Sequence, residues 1–261
     1  MFPLRRGAQV AALAGGWGAL AWLGLRALPR PGGVALLALA GTSAFLLVDA
    51  LVVGFDPWGR TRSHGPRTRP LAALTFDDGP GSDTPAILAA LRDAGVKATF
   101  FVVGAQVKAR PSLVRAMARD GHAVAPHTYS HRTLALASPA TIASEIDDCL
   151  EAIRACGVEP ARLFRAPRGW KGPLLRRALK RRGLQLVAWT RGAWDSEPRS
   201  PAEIAAAAAR RPRPGDVLLL HDGAATPGHQ SRRATAAAIP LVVERYRRAG
   251  LGFATLPELF A

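Results

Sequence analysis

From Leu71 to the carboxyl terminus, short apolar runs alternate with longer segments in which apolar residues recur every three or four positions. Runs of the first kind predict strands, and recurrence of the second kind predicts amphipathic helices. Strands are predicted at Leu71–Phe76, Ala98–Val103, Ala123–Ala125, Leu163–Arg165, Gln185–Trp189, Val217–His221 and Gly252–Thr255. Ser138-Pro139 and Ser200-Pro201 each place a cap residue before a proline at the first helical position, and Glu203 completes a capping box. Ile142, Ile146, Leu150 and Ile153 line one apolar face, which Gly157 ends. Strands with helices between them predict a parallel sheet, either barrel-like or doubly wound, with its site at the strands' carboxyl ends.

The amino-terminal part has a different pattern. Gly7 to Leu25 carries no charge over 19 residues, about 28 Å as a helix and close to the apolar thickness of a bilayer. A second uncharged stretch runs from Gly32 to Val48, meets Asp49 and stays apolar to Phe55. Both are apolar around their whole circumference, which favours two transmembrane helices over a pair of buried ones. A cleavable signal would account for Arg5-Arg6 and the first stretch and leave the second without a purpose. The expected organisation is a membrane anchor over 1–55, a linker over 56–70 rich in Arg, Gly and Pro, and a catalytic domain over 71–261.

Composition narrows the function. With 49% hydrophobic and 21% charged residues in 261, the chain is no disordered basic tail. Two cysteines, Cys149 and Cys156, exclude a disulfide-dense scaffold, and without any Cys-x-x-Cys pair a metal must be held by His and carboxylate. Seven residues apart on one helix, they are separated by a rise of about 10.5 Å, beyond disulfide reach, and read as buried apolar groups. The net charge of +16 is almost all Arg and spread along the chain. Nucleic-acid binding would call for clustered basic residues with interleaved aromatics, which are absent, so no nucleic-acid partner is expected, and no protein partner either.

Polar residues stand where the apolar runs stop. Asp77-Asp78 follows the first, His127 and His131 the third, Arg165 closes the fourth, Trp194-Asp195 follows the fifth, and His221-Asp222 ends the sixth. Charged groups beside a core must be paired or bound to metal. His127 and His131 have the i, i+4 spacing that lets two imidazoles meet one cation, and a carboxylate from Asp78 would complete a set with open positions for water and substrate.

On these residues the chain resembles the polysaccharide deacetylases of the nodulation-protein-B homology family, the family-four carbohydrate esterases. The resemblance covers about residues 70 to 261 and rests on Thr75-Phe76-Asp77-Asp78-Gly79-Pro80, His127-Thr128-Tyr129-Ser130-His131, Arg165-Ala166-Pro167-Arg168-Gly169, Asp195 beside Trp194, and Leu219-Leu220-His221. It implies an α/β fold, a distorted seven-stranded (β/α) barrel, preceded here by the two transmembrane helices. It also implies an enzyme that removes N-acetyl groups from an amino sugar in a cell-envelope polysaccharide, peptidoglycan, chitooligosaccharide or lipid-linked glycan. By resemblance Asp78, His127 and His131 hold a divalent ion, Zn²⁺ by preference, and Asp77 is the general base, with Arg165 favouring its charged form. His221 is the general acid, kept protonated by Asp195, and the Arg168 backbone N–H completes the oxyanion hole. Arg168 stands where the family has Tyr, Gly192 where it often has Asp, Ser196 where it has Trp and Pro126 where it has Asn, which points to an altered acceptor groove. A non-catalytic sugar-binding relative is the alternative. Envelope substrates place the catalytic domain on the extracytoplasmic side. His64, His122 and His229 read as ordinary surface residues, and Trp189 as core.

Overall fold

Alternation within the run from Leu71 to Asp77 decides how the domain is layered. In the computed structural model, which describes residues 37–45, 48, 56, 61–224 and 231–261, this run is strand β2, preceded by a two-residue β1 at Thr61–Arg62. Leu74 and Phe76 join an outer cluster with Phe100, Leu218 and Leu220, while Ala73 joins an inner one with Phe101, Val187 and Val217. Successive side chains point to opposite faces, so Thr75 and Asp77 share the inner face with Ala73.

Strand β2 lies between β3 (Ala98–Val102) and β8 (Val217–His221), with β4 (Ala123–Pro126) beyond β3 and β7 (Arg191–Gly192) beyond β8; β9 (Gly252–Phe253) also pairs with β2. A second sheet has the order β1-β6-β5, with β5 at Leu163–Phe164 and β6 at Gln185–Val187. Every pairing is parallel. Ala161 N–H, just before β5, donates to Val124 O of β4 at 2.7 Å, tying the two sheets at one flank; at the other the chain passes from β6 directly into β7, where Thr190 N–H extends the β7–β8 ladder to Val217 O at 2.9 Å. The result is the expected barrel-like α/β fold rather than an open doubly wound sheet. All seven predicted strands are present, and β6 stops at Val187 because the chain then turns towards β8. Strands β1 and β7 are too short for alternation to reveal them.

The helices are α1 (Thr84–Asp93), α2 (Gly104–Ala109), α3 (Pro111–Arg119), α4 (Pro139–Ala155), α5 (Pro173–Arg181), α6 (Pro201–Ala208), α7 (Arg233–Arg248) and α8 (Leu256–Phe260). The Ser138 side chain caps α4, and Ser200 with Glu203 forms the capping box of α6. Leu256 and Leu259 of α8 bury themselves in the inner cluster. Cys149 and Cys156 are buried and free.

Three expectations need correction or limits. Part of the stretch expected as a linker is structural: Thr61–Arg62 pairs with β6, Gly65 N–H donates to Gly215 O at 2.8 Å, and Arg67 pairs with the buried Asp216 at 3.2 Å. These contacts are backbone pairings and single charges, which carry no hydrophobic periodicity. His122 is not a surface residue: it is buried, accepts the Ala98 N–H at its Nδ1 at 3.2 Å and packs edge-on against Phe100. Burial, with Lys97 nearby, pushes its pKa down to about 4. The chain separates into two compact units, 1–55 and 56–261. Among the described residues no helix is long and apolar enough to cross a membrane. The first expected span, 7–25, lies outside them; of the second, 37–45 and 48 are described, and these are helical.

A protein beginning at Pro70 is therefore expected to be less stable than one beginning at Asp56 by about 1–3 kcal/mol, the usual penalty for leaving buried polar groups without partners. Chemical denaturation of the two checks this, and equal stability would show that 61–69 is a tether.

Candidate active site

Parallel register delivers the polar residues to one end of the barrel. Asp77 lies opposite His221 on one side and Phe101 on the other, and Pro126 at the end of β4 leads directly into His127. The loops that follow β2, β4, β5 and β7 hold Asp78, Thr128, His131, Arg168 and Trp194 at φ values of 72°, 69°, 60°, 61° and 57°. Non-glycine residues rarely occupy this left-handed region, and where they do the surrounding structure holds them there, often at functional sites.

Asp78 Oδ1 lies 3.0 Å from His131 Nε2 and 3.4 Å from His127 Nε2. One ligand atom from each of the three residues falls within 4.8 Å of the others. His127 Nδ1 is 2.8 Å from Arg165 O; donation to that carbonyl fixes the direction of the ring and turns Nε2 towards Asp78. Burial opposes charge on Asp78, but hydrogen bonds from His127 and His131 and the field of His221 outweigh it and hold the carboxyl well below the usual carboxylate range. Burial likewise opposes charge on His127, yet Asp77 and Asp78 raise its pKa. The pocket thus favours positive charge at the point where the three groups meet, and its two imidazoles and one carboxylate are a donor set that suits a divalent cation.

Beside this triad, Asp77 Oδ2 is 3.8 Å from His127 Nε2. Its Oδ1 accepts a 2.8 Å hydrogen bond from Arg165, which also donates to Thr75 Oγ1 at 2.7 Å and Ala188 O at 3.1 Å. Arg165 is wholly buried, with its guanidinium 4.2 Å from the centroid of the Phe101 ring. Its inward direction follows from period 2, since Leu163 faces the inner cluster and Phe164 the outer helices.

Opposite them stands His221. Asp195 Oδ1 meets its Nδ1 at 2.8 Å and Asp195 Oδ2 accepts its backbone N–H at 2.8 Å. Thr235 Oγ1 donates to the same carboxylate at 2.9 Å. Burial disfavours the imidazolium, but Asp195, with Asp78 and Asp77 behind it, raises the pKa to about 9. Asp195 thus favours the protonated ring, the form that can give up a proton.

The structure brings Asp77, Asp78, His127, His131, Arg165, Asp195 and His221 together. The Arg168 side chain is exposed: the residue lies in the 3-10 turn Pro167–Gly169 and holds its guanidinium 5.8 Å from the centroid of the Trp170 ring. Trp189 packs partly buried against the inner cluster, and His229 lies outside the described residues. Sequence reasoning placed Asp222 at the end of a strand without a role and missed Glu145. Asp222 is buried beneath the Asp78-Gly79 turn, and its Oδ2 accepts a 2.6 Å hydrogen bond from Thr84. Burial, reinforced by Asp78 and Asp77, pushes its pKa up to about 7. A Cβ at Gly79 would come within 2.0 Å of Asp222 Oδ2, so only glycine fits there. The signal for Asp222 was its place next to His221.

Known proteins show the same arrangement of chain. A family model described as polysaccharide deacetylase matches residues 64–187. A peptidoglycan-N-acetylglucosamine deacetylase of Bacillus cereus is 31% identical over 210 residues, covering 78% of this chain and 94% of its own. A chitooligosaccharide deacetylase of Bradyrhizobium is 37% identical over 196 residues, covering 71% of this chain and 89% of its own. Among solved structures, a family 4 carbohydrate esterase from Streptomyces lividans in complex with acetate superposes with a TM-score of 0.63 at 36% identity, over 69% of this chain and 90% of that one. A peptidoglycan N-acetylglucosamine deacetylase structure gives a TM-score of 0.74 at 27% identity, over 79% of this chain and 97% of that one.

Proposed function

The chain belongs to the polysaccharide deacetylase family, whose reaction is hydrolysis of an acetamide, and on that premise we propose that it is a metal-dependent N-deacetylase of an amino sugar in a cell-envelope glycan. The observation that carries this reading is the meeting of Asp77 and Asp78 with His127, at 3.8 and 3.4 Å, with His221 in register beside Asp77 and paired to Asp195 at 2.8 Å.

Asp78, His127 and His131 would hold the cation. When bound, a divalent ion, Zn²⁺ by the nature of the donor set, polarises the acetyl carbonyl and acidifies water. Asp77 takes the proton of the attacking water. Arg165, locked by its bonds to Thr75, Asp77 and Ala188, keeps that carboxylate aimed and balanced in charge. His221 gives its proton to the departing amine nitrogen, and Asp195 at Nδ1 fixes the ring so that Nε2 faces the substrate. The backbone N–H of Arg168 would be a donor to the developing oxyanion. The products are acetate and a free amino sugar.

The activities of the relatives support N-acetylglucosamine in peptidoglycan or chitooligosaccharide as the substrate, and a lipid-linked glycan is the third candidate. Acetate release measured on all three tests the proposal; release from none of them overturns it. The uncharged stretches 7–25 and 32–48 support a membrane anchor, and an envelope substrate supports an extracytoplasmic catalytic domain. Protease added to intact cells then digests the domain, whereas protection would place it inside.

The Asp195–His221 pair gives a pH prediction. His221 acts as an acid only while protonated, so activity falls as pH rises through its pKa, which Asp195 holds above the ordinary value of 6.5. In Asp195→Asn the alkaline limb of kcat/KM moves to lower pH by about one unit or more, the size expected when an adjacent opposite charge is removed. An unmoved limb would assign it to another group.

A further inference from the structure

Glu145 has no part in the chemistry above, yet its carboxylate reaches the loop that joins the two histidines. It lies in the second turn of α4, among the buried side chains Ile142, Ile146 and Cys149, and is itself only 9% exposed. Its Oε2 accepts the N–H groups of Tyr129 and Ser130, each at 2.9 Å, and its Oε1 accepts the Ser130 hydroxyl at 2.5 Å. The loop is bent by left-handed residues at Thr128 and His131, and successive N–H groups converging in such a bend form a concavity suited to an anion. From the other side, Gly104 and Ala105 donate their N–H groups to the carbonyl oxygens of Thr128 and Tyr129 at 3.0 and 2.9 Å. A Cβ at Gly104 would lie 2.6 Å from Tyr129 Cδ2, so the clamp closes only because that residue is glycine.

The two histidines differ in how they are held. His127 has its backbone N–H on Val102 O and its Nδ1 on Arg165 O. Among the described residues the His131 ring makes no hydrogen bond except to Asp78, so its direction is set by the backbone that Glu145 grips. We infer that Glu145 is a positioning residue for the ligand pair, fixing the loop over 128–131 so that His131 Nε2 is presented to Asp78 and to the cation. This rests on the reading of Asp78, His127 and His131 as a metal site.

The test is the affinity of the full chain for Zn²⁺, measured by competition with a chromophoric chelator, for wild type, Glu145→Ala, Glu145→Gln and Glu145→Asp, together with the unfolding temperature of each without metal. Loss of a group that orients a ligand weakens metal binding by about 10–100-fold, and this is the result expected for Glu145→Ala. Glu145→Gln retains an oxygen for the two N–H groups and is expected within about threefold of wild type, the retained acceptor preserving most of the bonding. If Glu145→Ala does not fold, Glu145→Asp serves, since a carboxylate one methylene shorter cannot reach both N–H groups and weakens Zn²⁺ binding likewise. Alanine or aspartate variants with lower unfolding temperatures but wild-type affinity would make Glu145 a structural residue and overturn the inference. Wild type that binds no Zn²⁺ overturns the metal site itself, and the inference with it.

Discussion

Asp77→Asn is expected to lower the turnover of acetate release by about 10²–10⁴-fold, the range that general acid–base groups contribute, while Zn²⁺ still binds. Asn keeps the shape of the side chain and can still accept the 2.8 Å hydrogen bond from Arg165, but its amide cannot take a proton from water near neutral pH. The ligand atoms of the triad come from Asp78, His127 and His131, so metal affinity changes little. His131→Ala is expected to fail in the opposite order, losing metal first and activity in consequence. Measuring turnover and metal affinity on the same preparations separates the two. An Asp77→Asn enzyme within threefold of wild type would remove Asp77 from the mechanism.

Arg165→Met is expected to destabilise the domain by about 3–5 kcal/mol, the effect of removing one partner of a buried ion pair. Arg165 is fully buried, so its loss leaves Asp77 without a cation and the Thr75 hydroxyl and Ala188 carbonyl without their donor. Methionine of similar length preserves packing against Phe101, which confines the change to charge and hydrogen bonding. A double-mutant cycle isolates the pair: with Asp77→Asn in the background no uncompensated carboxylate remains, and Arg165→Met is expected to cost markedly less. Denaturant unfolding gives all four stabilities. A single-variant effect under about 1 kcal/mol would mean that the pair is not coupled as its geometry requires.

How legible each group was depended on its place relative to the strands. Asp77, Asp78, His127, Arg165 and His221 end or follow apolar runs, and a polar group at the end of a buried strand stands out against its neighbours. Glu145 did not, because a carboxylate inside an amphipathic helix reads as one more solvated charge; only the fold shows that its face of α4 meets the histidine loop. His122 differs from its expected place for the converse reason. Its polar setting beside Asp120 and Gly121 suggests a turn, whereas its ring turns inward to accept the Ala98 N–H. Strand β1 was lost in a stretch rich in Arg, Pro and Gly, since two residues paired through their backbones need no apolar pattern. The barrel-like closure depends on a backbone hydrogen bond from Ala161, just before β5, to β4 and on the direct passage of the chain from β6 into β7, neither of which side-chain periodicity encodes.

The most direct test of the whole account is the rate of acetate release from an N-acetylglucosamine oligomer as metal-stripped protein is titrated with Zn²⁺. The account predicts negligible release without metal and a rise that levels off at about one equivalent of metal per chain, as one three-ligand site with open positions requires. Release by the stripped protein at the full rate, unchanged by added Zn²⁺, would contradict it.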